Sequence, residues 1–203
     1  MHEEIMTKEQ KKMLPLVGEF SDSFGLVGGT AIAFHLGHRR SVDFDLFSRE
    51  KFGNQSLLNK IIELGGHDQI IVNKSGELTI MIKGVKFTFY HYPYDIEYSD
   101  KFGYRIKTPN LLTLAAMKAF ALGLRAKWKD YVDLYFIIKD HFSISQISDK
   151  ATSIFEGFDE KLFRSQLAYF EGINYEEKVE YLPSFEVSDD IIKEELIKSS
   201  ISD

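Results

Sequence analysis

The chain has 203 residues, 44% of them hydrophobic, with 25 Lys and Arg against 31 Asp and Glu for a formal charge of −6, and no cysteine. That length allows one large domain or two small ones around a real core, and the missing cysteines exclude disulfides, thiolate nucleophiles and cysteine-based zinc sites together. No apolar run approaches the roughly 18 residues of a membrane span, and the acidic start Met-His-Glu-Glu-Ile lacks the apolar stretch of a signal peptide, so a cytoplasmic protein is expected.

In chain order, Thr7 to Phe20 reads as a helix, with Met13, Leu16, Val17 and Phe20 at helical spacing. Phe24 to Val27 reads as a short buried strand that ends at Gly28-Gly29. Thr30 to Gly37 reads as a helix closed by its glycine. Ser41 to Phe47 alternates, with Val42, Phe44 and Leu46 on one face and Asp43, Asp45 and Phe47 on the other, which predicts a strand with one apolar face. A helix is expected from Gln55 to Leu64, stopped by Gly65-Gly66. Three strands follow, at Gln69 to Asn73, Glu77 to Ile82 and Lys86 to Tyr92, the last two joined by a Lys83-Gly84 hairpin turn. Thr108-Pro109 then reads as an N-cap and first helical residue opening a helix to Leu122. A second helix covers Ala126 to Lys139, and the pattern stays helical to the end, with turns near Gly157, Gly172 and Pro183. The expected organisation is an α/β half over residues 1–107 and an all-helical half over 108–203. Charge follows a related division. Glu156 to Asp203 holds 13 acids and 5 bases, and the remainder is slightly basic. The run Lys118, Arg125, Lys127, Lys129 contains no acid and could steer a polyanion.

One constellation carries chemistry: Val27-Gly28-Gly29, then thirteen residues, then Asp43-Phe44-Asp45-Leu46. The glycines allow a sharp strand-to-helix turn and a close approach of backbone to a ligand. The helix start after them offers free N–H groups and a positive dipole end for phosphate oxygens, and Thr30 adds a hydroxyl there. Asp43 and Asp45 share one strand face. Two carboxylates so close repel unless a divalent cation lies between them, and oxygen ligands completed by phosphate suit Mg²⁺. A cation there can bridge a triphosphate and neutralise its leaving group.

This pattern resembles the signature of polymerase-β-type nucleotidyltransferases. Leu26 to Ala31 (LVGGTA), with His38 to Phe47 (HRRSVDFDLF), resembles the AbiEii/AbiGii toxin family more narrowly. Lys127 to Phe136 (KWKDYVDLYF) resembles that family's second block. The resemblance implies an α+β protein, in which a mixed sheet with helices is followed by a helical half that completes the site. It further implies that Gly28, Gly29 and Thr30 hold nucleotide phosphates, that Asp43 and Asp45 ligate Mg²⁺ or Mn²⁺, that Lys118 contacts the triphosphate, and that Asp130 is needed for activity. Arg39 and Arg40 are candidates for phosphate or RNA contact. The implied reaction moves a nucleoside monophosphate from an NTP to an acceptor hydroxyl such as the 3′ end of tRNA, with a cognate antitoxin as protein partner. Two alternatives stay open: a small-molecule or protein acceptor, and a catalytically silent nucleotide-binding module. One departure motivates the second. Many superfamily members carry a third carboxylate on a neighbouring strand, whereas Val85 to Tyr92 holds no acid, and Asp95 lies just beyond Pro93. Asp130 is the remaining candidate.

His35 and His38 lack a third ligand and read as structural or surface residues, while Trp128, Tyr131 and Tyr135 read as core. Asp133 is open to a buried cap or a salt bridge.

Overall fold

The computed structural model describes residues 2–103 and 105–202. Helix α1 (Lys8–Gly18) opens with a capping box in which Thr7 and Gln10 satisfy each other's backbone N–H groups. The buried Gln10 amide then donates to the Ser41 carbonyl at 2.7 Å, pinning a loop 31 residues further on. Strand β1 (Gly25–Val27) turns directly into α2 (Gly28–Leu36), two residues earlier than the sequence suggests, because Gly28 takes φ +72° and starts the turn itself. Gly37 closes α2 in the left-handed conformation, as expected of a glycine there.

Strand β2 (Phe44–Ser48) begins three residues later than the alternation predicts. The preceding segment is held elsewhere: the Arg40 N–H donates to Glu180, and Ser41 is fixed by Gln10. Helix α3 (Asn54–Glu63) is followed by β3 (Gln69–Lys74), β4 (Glu77–Ile82) and β5 (Val85–His91), close to the expected spans. These strands form one mixed sheet in the order β1-β2-β5-β4-β3. β2 and β5 run parallel, and the other neighbours are antiparallel. Phe44, Leu46, Phe87 and Phe89 fill the apolar face of the two central strands.

A two-stranded ribbon, β6 (Asp100–Phe102) with β7 (Ile106–Thr108), has no counterpart in the sequence reading, since three residues are too few for alternation to show. β7 runs to Thr108, so Thr108 cannot also cap the next helix. Asn110 does so by accepting from the Thr113 N–H, and α4 runs Leu111–Leu122. Helices α5 (Trp128–Asp140), α6 (Ile144–Ile154), α7 (Glu160–Leu167) and α8 (Asp189–Ile201) complete the helical half. The segment between α7 and α8 departs from the helical expectation. It runs as an extended strap, bridging Asn174 to Lys127 and Tyr181 to Arg39.

The helical half is locked to the sheet half through polar groups as well as apolar ones. Asp133 on α5 is fully buried. Its carboxylate accepts from Arg39 Nε at 2.7 Å, Arg39 Nη2 at 2.9 Å and His38 Nε2 at 2.8 Å. His38 follows α2 and is itself fully buried. Burial would raise the Asp133 pKa, but the Arg39 and Lys118 charges outweigh it and hold the carboxyl well below its ordinary value. Asp133 therefore stabilises the fold above the ordinary carboxylate range, and that stability is lost only as pH falls through the depressed value.

Asp133→Asn leaves Arg39 and Lys118 as under-paired buried cations. The expected loss is about 3–5 kcal/mol by urea unfolding at pH 7. The gap to wild type should persist at pH 5 and close only in strong acid.

Candidate active site

The first element of the site is the turn from β1 into α2. A Cβ placed on Gly28 would collide with the Asp45 carboxylate, and one on Gly29 would collide with the Arg39 guanidinium. Both glycines are thus required by side chains that crowd the helix start, in addition to any ligand. No side chain caps this end of α2, so its first N–H groups have no such partner. Thr30 is buried differently from the expectation of phosphate contact. Its hydroxyl donates to the Asp43 carbonyl and lies 2.8 Å from Ser41 Oγ. In that role Thr30 fixes the backbone on which the first aspartate sits.

Asp43 lies just before β2 and Asp45 lies on it, opposite Val27 on one side and Thr88 on the other. Both are half-buried. Burial, and then the neighbouring Asp43 charge, push the Asp45 carboxyl above its usual pKa, while Lys86, Lys118 and Arg125 act in the opposite sense. A carboxylate pair held at such a cost is a donor set that a divalent cation relieves. Two carboxylate donors, completed by phosphate oxygens and water, would suit Mg²⁺ or Mn²⁺. Among the described residues no group of three or more His, Asp or Glu is placed to hold a metal.

The second element comes from the helical half. Lys118 on α4 is buried, with Nζ 2.6 Å from Asp130 Oδ1 and 3.1 Å from Asp133 Oδ2. Burial alone would lower its pKa, but Asp130 and Asp133 raise it, so the ammonium stays charged. Asp130 is buried too, and its second oxygen accepts from Arg125 Nε at 3.2 Å. Both Asp130 oxygens are therefore engaged by cations. Asp95, the other acid considered for a third carboxylate, is exposed and paired with Arg49 at 2.6 Å.

Arg39 is buried against Asp133, with its guanidinium beside Gly29. Arg40 is part-exposed and pairs with Glu180 on the strap at 2.7 Å. The geometry thus separates two adjacent arginines that the sequence treats alike. Of the basic run, Lys127 and Lys129 both meet Glu177 on the strap, at 2.7 and 3.4 Å. The Lys127 hydrogen bond leads in drawing the Glu177 carboxyl down to about 2, so it stays ionised.

Sequence reasoning did not single out Lys86. It lies on β5, with Nζ 2.5 Å from Asp43 Oδ2. Its polar neighbours in the β5 alternation are Thr88 and Tyr90, but only the β2–β5 register reveals that this face looks at the aspartates.

The family described as nucleotidyl transferase AbiEii toxin, of type IV toxin–antitoxin systems, matches residues 16–196. The chain belongs to the AbiEii nucleotidyltransferase toxin family. It is a nucleotidyltransferase, and membership implies an NTP substrate and a cognate antitoxin. An uncharacterised protein of Aquifex aeolicus is 28% identical over 197 residues, covering 93% of this chain and 94% of its own. A Helicobacter pylori protein provisionally described as a nucleotidyltransferase shares the fold, with a TM-score of 0.56 at 17% identity over 98% of this chain and 94% of the other. MenT4, a nucleotidyltransferase toxin of Mycobacterium tuberculosis H37Rv, does so with a TM-score of 0.52 at 11% identity over 88% and 74%. Among the described residues no helix is long and apolar enough to cross a membrane.

The raised Asp45 pKa makes a signed prediction. Below its unfolded pKa Asp45 is protonated in both states. The folding penalty grows as pH rises from the unfolded value to the raised folded value and is complete above it. At neutral pH, Asp45→Asn should therefore raise the melting temperature of the metal-free protein, by roughly 2–4 °C per kcal/mol relieved. The same variant should lose the stabilisation that Mn²⁺ gives the wild type. Thermal melts with and without MnCl₂ check both halves.

Proposed function

We propose that the chain transfers a nucleoside monophosphate from an NTP to a hydroxyl at the 3′ end of tRNA, using one divalent cation held by Asp43 and Asp45. The observation that carries this reading is the convergence on Asp45 of three independent elements: the uncapped α2 start, the Asp43 carboxylate and the Lys118/Arg125 cations. Mg²⁺, when bound, supplies Lewis-acid charge at the α-phosphate. The chain's own groups do the rest. The N–H groups of Gly28 and Gly29 and the charge of Lys118 orient the triphosphate. The acceptor oxygen forms a bond to the α-phosphorus, the bond to the pyrophosphate oxygen breaks, and the hydroxyl proton passes to solvent. Pyrophosphate departs towards Lys118 and Arg125. Catalysis here is placement and electrostatics.

Arg125, Lys127 and Lys129 form the basic rim on which an RNA backbone would lie, and Glu177 occupies part of it. A cytoplasmic toxin acting on tRNA fits this rim. A silent nucleotide-binding module is the second reading. It is favoured by the engagement of both Asp130 oxygens by Lys118 and Arg125, which takes up the acid considered as the third carboxylate. A small molecule or a protein side chain as acceptor uses the same constellation.

The deciding experiment incubates the purified protein with Mg²⁺, total RNA and each α-labelled NTP in turn. A discrete RNA band labelled by wild type and absent with Asp43→Ala/Asp45→Ala supports the transferase and names its nucleotide. Nucleotide binding without pyrophosphate release, whatever the acceptor, removes it in favour of the silent module. Separately, Glu177→Gln should tighten tRNA binding at low salt. It should also steepen the dependence of log K on log salt by about one to two, as Lys127 and Lys129 become free for phosphate.

A further inference from the structure

We infer that Lys86 takes the place of a second metal ion, making this a one-metal site in which a lysine ammonium supplies the other positive charge to the triphosphate. The inference rests on the transferase reading and assigns a further substrate-contacting residue within it.

The register puts Lys86 there. β2 and β5 run parallel with Asp45 opposite Thr88, and the same spacing carried two residues earlier, just beyond the paired stretch, sets Asp43 beside Lys86. The 2.5 Å contact between Lys86 Nζ and Asp43 Oδ2 closes this end of the face. Two cations about 3.5–4 Å apart, as in two-metal sites, need several carboxylates to hold them together. This face has two. Asp130 and Asp133 are already engaged by Lys118, Arg125, Arg39 and His38, and Asp95 is paired with Arg49. With Lys86 included, the Asp43/Asp45 face carries one net negative charge. That accommodates one divalent cation, whereas a second would stand directly against the ammonium.

An ammonium has three donors, so Lys86 can keep one on Asp43 and turn another to a phosphate oxygen. Its side chain is about one-third exposed, at 37%, so the head can move without breaking the core. In the transfer step the bonds made and broken are those already given. Lys86 adds a fixed charge beside the triphosphate and exchanges no proton.

The test uses the full chain with Mn²⁺ and a non-hydrolysable α,β-methylene NTP. Crystals are examined for anomalous Mn²⁺ peaks, and nucleotide affinity is measured by calorimetry. Wild type is expected to show one Mn²⁺ per chain. Lys86→Met should keep that ion but bind nucleotide at least tenfold more weakly, and Lys86→Arg should recover most of the loss. Lys86→Glu, which adds a third acid, should admit a second Mn²⁺. Two Mn²⁺ in wild type, or unchanged nucleotide affinity in Lys86→Met with a normal melting curve, overturns the inference and leaves the transferase reading standing. Nucleotide and Mn²⁺ binding that are absent from wild type, or unaffected by Asp43→Ala/Asp45→Ala, would remove both.

Discussion

Asp133 is the point on which the architecture turns. It is a carboxylate without solvent, ringed by Arg39, His38 and Lys118. Charges taken out of water are costly, and the arrangement holds only because each partner is hydrogen-bonded in good geometry. The partners come from two places, the segment after α2 and helix α4, while Asp133 itself is on α5. One residue thereby fixes the position of α2 relative to the helical half, and with it the distance between the aspartate pair and Lys118. Among the described residues His38 Nδ1 has no hydrogen-bond partner, and the ring is held through Nε2 by Asp133. Burial keeps that histidine neutral by lowering its pKa, and Asp133, which only accepts, selects the tautomer with the proton on Nε2.

The site runs against the logic of the core. Asp45 is held where burial and Asp43 both disfavour its charge. Gly28 and Gly29 give up side chains so that Asp45 and Arg39 can crowd the start of a helix. These are local costs carried by a Phe-rich interior, including the stacked pairs Phe34–Phe102 and Phe120–Phe155 at 4.0 and 4.2 Å. A rigid surround matters because placing a reacting phosphate demands sub-ångström constancy.

Much of this was legible in the sequence, for identifiable reasons. The strand-like runs flanking the Lys83-Gly84 turn, and the glycine stops after α2 and α3, are local signals and match the observed spans of β4, β5, α2 and α3 closely. The spacing of Gly28, Gly29, Asp43 and Asp45 is likewise local, since one short helix separates the two strands. What escaped depends on pairing between distant segments. Lys86 becomes part of the site only through the β2–β5 register. The difference between Arg39 and Arg40 arises because one side chain turns inward to Asp133 and its neighbour outward to Glu180. The strap over residues 173–182 defeated the helical reading because its order comes from two isolated bridges to other segments and not from its own periodicity.

The layout also bears on how a harmful enzyme can be made safely. Asp43 and Asp45, the proposed cation ligands, emerge early in synthesis, but Lys118 is on α4, and Asp130 and Asp133, which pair with that lysine, come later still, on α5. The strap that bridges to Arg39 and to Lys127 at the start of α5 comes later again. A chain still on the ribosome therefore carries a glycine turn and an aspartate pair without the charges that complete them. On the proposed reading, the aspartate pair and its lysine come together only once α5 has been made, which leaves a cognate antitoxin that interval of translation in which to be ready.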